Sequence, residues 1–358
     1  MKVSYFETGR YAVPSDMARE WPVPPAAYDP AIGADAFRGM VERVQFVERL
    51  GFDWISVSEH HYSPRILTPS PVVSAAWIAA RVNTIKIALL GPIVPTSNPI
   101  RVAEELAMLD TLAPGRFVFG LLRGTTNEYL SYDLNPAEAR ERTDEGMELI
   151  LKAWTEPQPF GWQGRYFQYR TVSLWPRPQH PPAPTYVLGT SAQAGAFAAR
   201  HHLGLGVSYG NLDSMSRATG YYRQQCAQYG WSPGPDDVIW RANMILGETD
   251  EAAETALNNR DKQAPFPVRA GLRDALIAAD TTRNIAGQSQ RANVGGVLPI
   301  SFCGGPDRVV DQIRQAREQI GVGVLDVSLT DPGTSDVDAM MDRLDLFGRT
   351  VLPRIRDI

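Results

Sequence analysis

Cysteine is nearly absent: the 358 residues include two, Cys226 and Cys303, far apart and in no metal-ligand spacing. So thiol-poor a chain is not stapled by disulfides, and it points to a reducing compartment. Histidine is scarce too, at five, and no His-x-His or His-Glu-x-x-His spacing invites zinc. Positive charge is not in excess. Lys and Arg number 35 against 40 Asp and Glu, a formal net charge of -5, and the basic residues are scattered. That excludes the global positive field of a nucleic-acid binder or of a protein drawn to an anionic membrane. No run of about 18 apolar residues offers a membrane span. Lys2 to Thr8 reads as a first strand rather than a leader. A soluble, cytoplasmic protein is the expectation.

Three missing motifs narrow the chemistry. No Gly-x-Gly-x-x-Gly follows a strand, and no Gly-x-x-x-x-Gly-Lys-[Ser/Thr] loop occurs, so Rossmann and P-loop nucleotide sites lack support. No Gly-x-Ser-x-Gly elbow marks an α/β-hydrolase.

What is present has a rhythm. At 44% hydrophobic and 21% charged residues the composition is that of a globular protein. Short β-rich runs start near Val3, Trp54, Ile85, Phe117, Tyr186, Leu205, Ile239 and Leu325. Helical periodicity follows the first four at Phe37 to Leu50, Pro71 to Val82, Arg101 to Leu112 and Ala137 to Trp154. It follows the others at Ala192 to His202, Asp213 to Tyr229, Glu251 to Asn259 and Val337 to Leu352. Alternation of this kind predicts a parallel sheet, and eight units predict closure into a (β/α)₈ TIM barrel. This is also the architecture that keeps a chain of roughly 200 to over 400 residues in one domain, here residues 1–358. Two segments depart from the rhythm. Glu156 to Pro184, rich in Pro, Trp and Tyr, reads as an ordered excursion with a small hairpin. Lys262 to Gly296, after the seventh strand, is long enough to be a mobile lid over the barrel mouth, with a further helical pattern from Val309 to Gln319 behind it.

Candidate chemistry gathers where strands end. Ser58-Glu59-His60-His61-Tyr62 follows the second strand, at the face where barrel enzymes place catalytic groups. Adjacent residues of an extended segment face opposite ways, so His60 and His61 are badly placed to share a metal ion. Either the pair ties rim loops together, or one imidazole serves as acid or base with Glu59 tuning its tautomer. His201-His202 ends a helix and reads as a dipole partner. The fourth strand delivers Arg123 and the next helix carries Arg140. Two guanidinium forks suit a phosphate, or else ion pairs with Glu128 or Glu141. The fifth strand runs into Gly189-Thr190-Ser191-Ala192, an ordinary helix N-cap or a phosphate seat. Trp162, Tyr166 and Phe167 line a pocket or form local core.

Taken in register, these segments resemble the bacterial luciferase-like flavin monooxygenases, particularly the luciferase alpha subunit. The resemblance rests on Glu59-His60-His61-Tyr62, Ile93 to Pro99, Leu109-Asp110, Gly115-Arg116-Phe117, Arg123-Gly124, Val187 to Ser191 and Gly304-Gly305-Pro306. It implies a barrel that holds flavin mononucleotide (FMN) at its C-terminal mouth. Arg123, Arg140, Ser191 and the Ala192 amide would hold the phosphate, with Thr190 among the cofactor-binding residues. Leu90-Gly91 would lie beside the isoalloxazine, where the family often has a non-prolyl cis peptide. His60 would be the acid/base with Glu59 its partner, and Tyr209, ending the sixth strand, would line the flavin. The family pattern also implies reduced FMN from a separate reductase, a peroxyflavin formed with O₂, a small organic substrate, and a homodimer. Two positions depart from luciferase: Leu122 replaces a reactive cysteine, and Ala194 replaces a hydroxyl of the phosphate loop. Light emission is therefore not expected. The alternatives are a deazaflavin-dependent hydride-transfer oxidoreductase and a non-catalytic flavin-binding partner subunit; a metal-dependent hydrolase fits poorly.

Overall fold

The structure is a computed structural model that describes residues 1–14, 21–64, 66–208, 210–260, 299–329 and 337–358. The expected lid at 262–296 and the flavin-lining Tyr209 lie outside the described residues. Eight strands close into a parallel ring: β1 (Lys2–Phe6), β2 (Trp54–Val57), β3 (Lys86–Ile93), β4 (Phe117–Leu122), β7 (Thr185–Leu188), β8 (Gly204–Ser208), β9 (Val238–Leu246) and β11 (Val324–Leu329). β11 pairs back onto β1, with Lys2 beside Val324, and β9 joins β8 to β11. All eight expected strands are these. The hairpin is β5 (Phe160–Gln163) with β6 (Gln168–Val172), outside the ring. Short β10 (Phe302–Gly304) adds to the end of β9, beyond the point where β8 stops.

The helices are α1 (Pro30–Leu50), α2 (Pro71–Ala79), α3 (Pro99–Leu112), α4 (Thr126–Ser131), α5 (Ala139–Thr155), α6 (Ala192–Arg200), α7 (Leu212–Gln228), α8 (Asp250–Arg260), α9 (Pro306–Ile320), α10 (Val337–Thr350) and α11 (Leu352–Ile355). The first begins at Pro30 rather than Phe37. Asp29 caps it, accepting from the amides of Ala31 (2.7 Å) and Ile32 (3.3 Å), and Pro30 presets the first-turn dihedral. Apolar periodicity misses this turn because it is largely exposed. The same Asn-Pro logic starts α3, where Asn98 accepts from Ile100 (3.0 Å) and Arg101 (3.1 Å).

The barrel interior is a packed plug, as the fold requires. Trp54, Ala88, Leu90, Val118, Tyr186, Ile239 and Val324 form its apolar layer, with Leu188 against them. Leu188 fits because Gly120 and Gly206 have no side chain; a Cβ at either would lie within 2.8 Å and 2.3 Å of Leu188. Two residues further along three strands, on the same inward face, the layer turns polar: Ser56, Arg241 and Asp326. Polarity thus rises toward the C-terminal ends of the strands. Among the described residues no helix is long and apolar enough to cross a membrane.

Candidate active site

β2 runs straight into the Glu-His-His segment. Glu59 and His61 share a side: Glu59 Oε1 lies 3.1 Å from His61 Nε2, and its Oε2 accepts the Ile93 amide at the end of β3 at 3.0 Å. His61 Nδ1 lies 3.3 Å from the Tyr132 hydroxyl, and its carbonyl accepts the Trp21 indole N–H at 3.2 Å. Both nitrogens of this buried ring have partners. His60 faces the other way. Its Nδ1 stands 3.5 Å from Glu128 Oε1, its side chain is 36% exposed, and Glu128 is 1% exposed. The expected Glu59–His60 partnership is therefore corrected: Glu59 serves His61, and His60 is served by Glu128 from α4. In the loop after β2 the side chains of Glu59 and His61 meet each other, while that of His60 meets Glu128.

Glu128 is held from below. Its Oε2 accepts the Thr125 amide at 2.8 Å and also the Thr125 hydroxyl, closing a capping box at the start of α4. Burial alone would raise its pKa. The His60 contact and the two Thr125 bonds prevail and hold it down at about 2.

The basic side of the mouth is built from β4, α5 and α6. Arg140 donates from Nη2 to Ser191 Oγ at 3.1 Å, while Ser191 caps α6 by accepting from the Ala194 amide at 3.3 Å. Arg140 Nη1 also lies 3.6 Å from Asp144, one turn along α5. Burial raises the Asp144 pKa, opposed by the charges of Arg140, Arg123 and Arg200, which places Arg123 in the same field. Of the two carboxylates that the sequence offered as ion-pair partners, Glu128 lies 3.5 Å from His60 and Glu141 lies 2.6 Å from Arg165. Arg140, Ser191 and the first turn of α6 with Ala192 thus converge next to Thr190, with Arg123 close enough to act on the same carboxylate.

Between these two sides lies Gly91. It takes φ +135°, and a Cβ there would stand 2.6 Å from Leu122 Cδ2 and 3.5 Å from the Glu59 amide. The β3–β4 register also shifts between Leu90 and Ile93. Among the described residues every cis peptide bond precedes proline, and Leu90–Gly91 is not one of them. The expected cis bond is replaced by a conformation open chiefly to glycine. Leu90 itself points into the apolar barrel layer, so only its backbone can face a ligand.

One cluster escaped the sequence reading. Inside the barrel Arg241 Nε donates to Asp326 Oδ2 at 2.7 Å and Nη2 to Ser56 Oγ at 3.2 Å; Ser56 in turn donates to Asp326 Oδ1 at 2.7 Å. The guanidinium lies 3.6 Å over the Phe6 ring. A charged residue at an inward position of β9 was the available signal. His201 is also corrected as a dipole partner. Burial first, then Arg200, lowers its pKa to about 4, so it is neutral near pH 7. Trp162, Tyr166 and Phe167 pack the hairpin onto α5 through Glu145 and Glu141.

Among the described residues no group of three or more His, Cys, Asp or Glu is placed to hold a metal ion. The alkanal monooxygenase alpha chain of Photorhabdus luminescens is 23% identical over 345 residues, covering 90% of this chain and 92% of that one. Two solved structures share the fold. The oxygenating constituent of 3,6-diketocamphane monooxygenase of Pseudomonas putida, in complex with FMN, superposes with a TM-score of 0.70 at 18% identity over 99% of both chains. An F420-dependent secondary alcohol dehydrogenase superposes with a TM-score of 0.68 at 15% identity, again over 99% of both. The family model for luciferase-like monooxygenases matches residues 18–323, and the chain belongs to the luciferase-like monooxygenase family.

Proposed function

We propose that this protein is an FMN-dependent monooxygenase that takes reduced FMN from a separate reductase and uses O₂ to oxygenate a small organic substrate. One observation carries the reading. An imidazole with a buried carboxylate partner follows β2 and an arginine-lined helix N-terminus follows β7, both at the C-terminal ends of barrel strands. The donor set fits the cofactor: Arg123, Arg140, the Ser191 hydroxyl and the first amides of α6 match a phosphate monoester in charge and in donor number. Gly91 lets backbone approach a flat ring without a side chain between.

Reduced FMN, when bound, supplies the electrons that activate dioxygen. The chain's own residues do the rest. Arg123, Arg140 and Ser191 anchor the phosphate, and Leu122 with the backbone of Leu90-Gly91 walls the ring against water. His60 holds or moves a proton at Nε2, because Nδ1 faces Glu128. Glu59 braces the neighbouring loop through Ile93 and His61. On this reading residues 1–358 form one cytoplasmic barrel domain. It works as a homodimer, for which the exposed Val73, Trp77, Met108 and Leu112 of α2 and α3 offer an apolar face.

The test is an anaerobic fluorescence titration with reduced FMN, followed by rapid mixing with oxygenated buffer. Binding in the micromolar range or tighter, with a transient near-ultraviolet absorbance that His60→Gln alters, supports the proposal. Binding of F420 in preference to FMN would instead favour deazaflavin hydride transfer. FMN binding with no oxygen-dependent transient would favour a non-catalytic subunit.

A further inference from the structure

We infer that Glu128 is the positioning residue that fixes the proton of His60 on Nδ1 and so leaves Nε2 as the imidazole's working nitrogen. The inference rests on the reading of His60 as the site's acid/base, but its evidence is separate. A buried carboxylate facing one ring nitrogen decides the tautomer, because a carboxylate accepts and cannot donate. Glu128 Oε1 faces His60 Nδ1 at 3.5 Å, and no other carboxylate in the described segment takes that role: Glu59 is committed to His61 and Ile93.

The carboxylate is itself aimed. Thr125 gives Oε2 both its amide N–H, at 2.8 Å, and its hydroxyl. That leaves Oε1 to the histidine. The capping box thus ties the first turn of α4, which follows β4, to the loop after β2. Adjacent His61 serves as an internal contrast. With Nε2 on Glu59 and Nδ1 on Tyr132, neither nitrogen is left for a substrate.

The contact predicts an inversion rather than a mere loss. In Glu128→Gln the Thr125 amide still needs an acceptor, so the side-chain carbonyl turns to it and the amide NH₂ faces His60. That NH₂ donates to Nδ1 and drives the ring proton to Nε2. A residue with only a structural role would leave the tautomer alone.

The experiment is nitrogen NMR of histidine-labelled apoprotein in mildly alkaline solution, with the His60 signals assigned by their loss in His60→Gln. Wild type is expected to show the Nδ1–H tautomer at His60. Glu128→Gln is expected to show the Nε2–H tautomer there with the His61 signals unmoved. Glu59→Gln is expected to move His61 and leave His60 unchanged. If Glu128→Gln fails to fold, Glu128→Ala serves, with loss of the Nδ1–H preference as the expected result. A wild-type His60 protonated on Nε2, or a His60 tautomer identical in wild type and variant, overturns the inference. No flavin enters the measurement, so the tautomer result stands or falls apart from cofactor binding.

Discussion

Two glutamate–histidine pairs lie next to each other at the end of β2, and their differences assign their work. Glu59–His61 is closed: both side chains are buried, both ring nitrogens have partners, and the carboxylate also ties down the end of β3. Glu128–His60 is half open, with a buried acid under an imidazole that is 36% exposed. The closed pair has the makings of a brace, and the half-open pair those of a reagent. Catalytic imidazoles need one nitrogen fixed and one available.

That contrast can be broken at several points, in descending order of effect. His60→Gln keeps a donor for Glu128 but cannot shuttle a proton. The oxygen-dependent step should slow by about 10²- to 10⁴-fold, read by rapid mixing, while urea unfolding changes by less than about 1 kcal/mol. An unaltered rate would move the acid/base role elsewhere. Glu59→Ala should do the opposite. It orphans the Ile93 amide and one His61 nitrogen, so stability should drop by about 3 kcal/mol in urea titration; a wild-type midpoint would show that the brace is idle.

Glu128 supplies a pH signature of comparable size. Its folded pKa of about 2 lies below the ordinary 4.5. Its contribution is therefore complete above pH 4.5 and is lost as the pH falls toward 2, a change of up to about 3 kcal/mol. Wild type should lose that part of its stability across this window, and Glu128→Gln should lack that loss; parallel pH curves would contradict the coupling. Tyr132→Phe should have the smallest effect. It removes one half-exposed hydrogen bond to His61, worth about 1 kcal/mol or less, with no change in the oxygen-dependent rate.

The barrel was legible because its signals are local. The alternation of short β-rich runs with helical periodicity repeats eight times within short windows, and the hairpin announced itself by composition. Partnerships across strands were less legible. Glu128 stands 68 residues from His60 in the chain, and only the adjacency of the mouth loops after β2 and β4 brings them together. Glu59 was the obvious partner by proximity, yet its side chain meets His61. The Arg241–Asp326–Ser56 cluster was hidden for a similar reason: each residue sits alone in its own strand, and ring closure assembles them. Arg140 and Ser191, 51 residues apart, were joined in advance by the chemistry of phosphate binding, and they meet at 3.1 Å.

The most direct test of the account is the affinity of apoprotein for FMN against riboflavin, measured by calorimetry in wild type and in Arg140→Ala. The two ligands differ only in the phosphate. If Arg123, Arg140 and the start of α6 seat that group, wild type should prefer FMN by at least about tenfold, or about 1.4 kcal/mol, and Arg140→Ala should lose most of that preference. Equal binding of FMN and riboflavin by the wild type would contradict the phosphate seat and, with it, the proposed cofactor site.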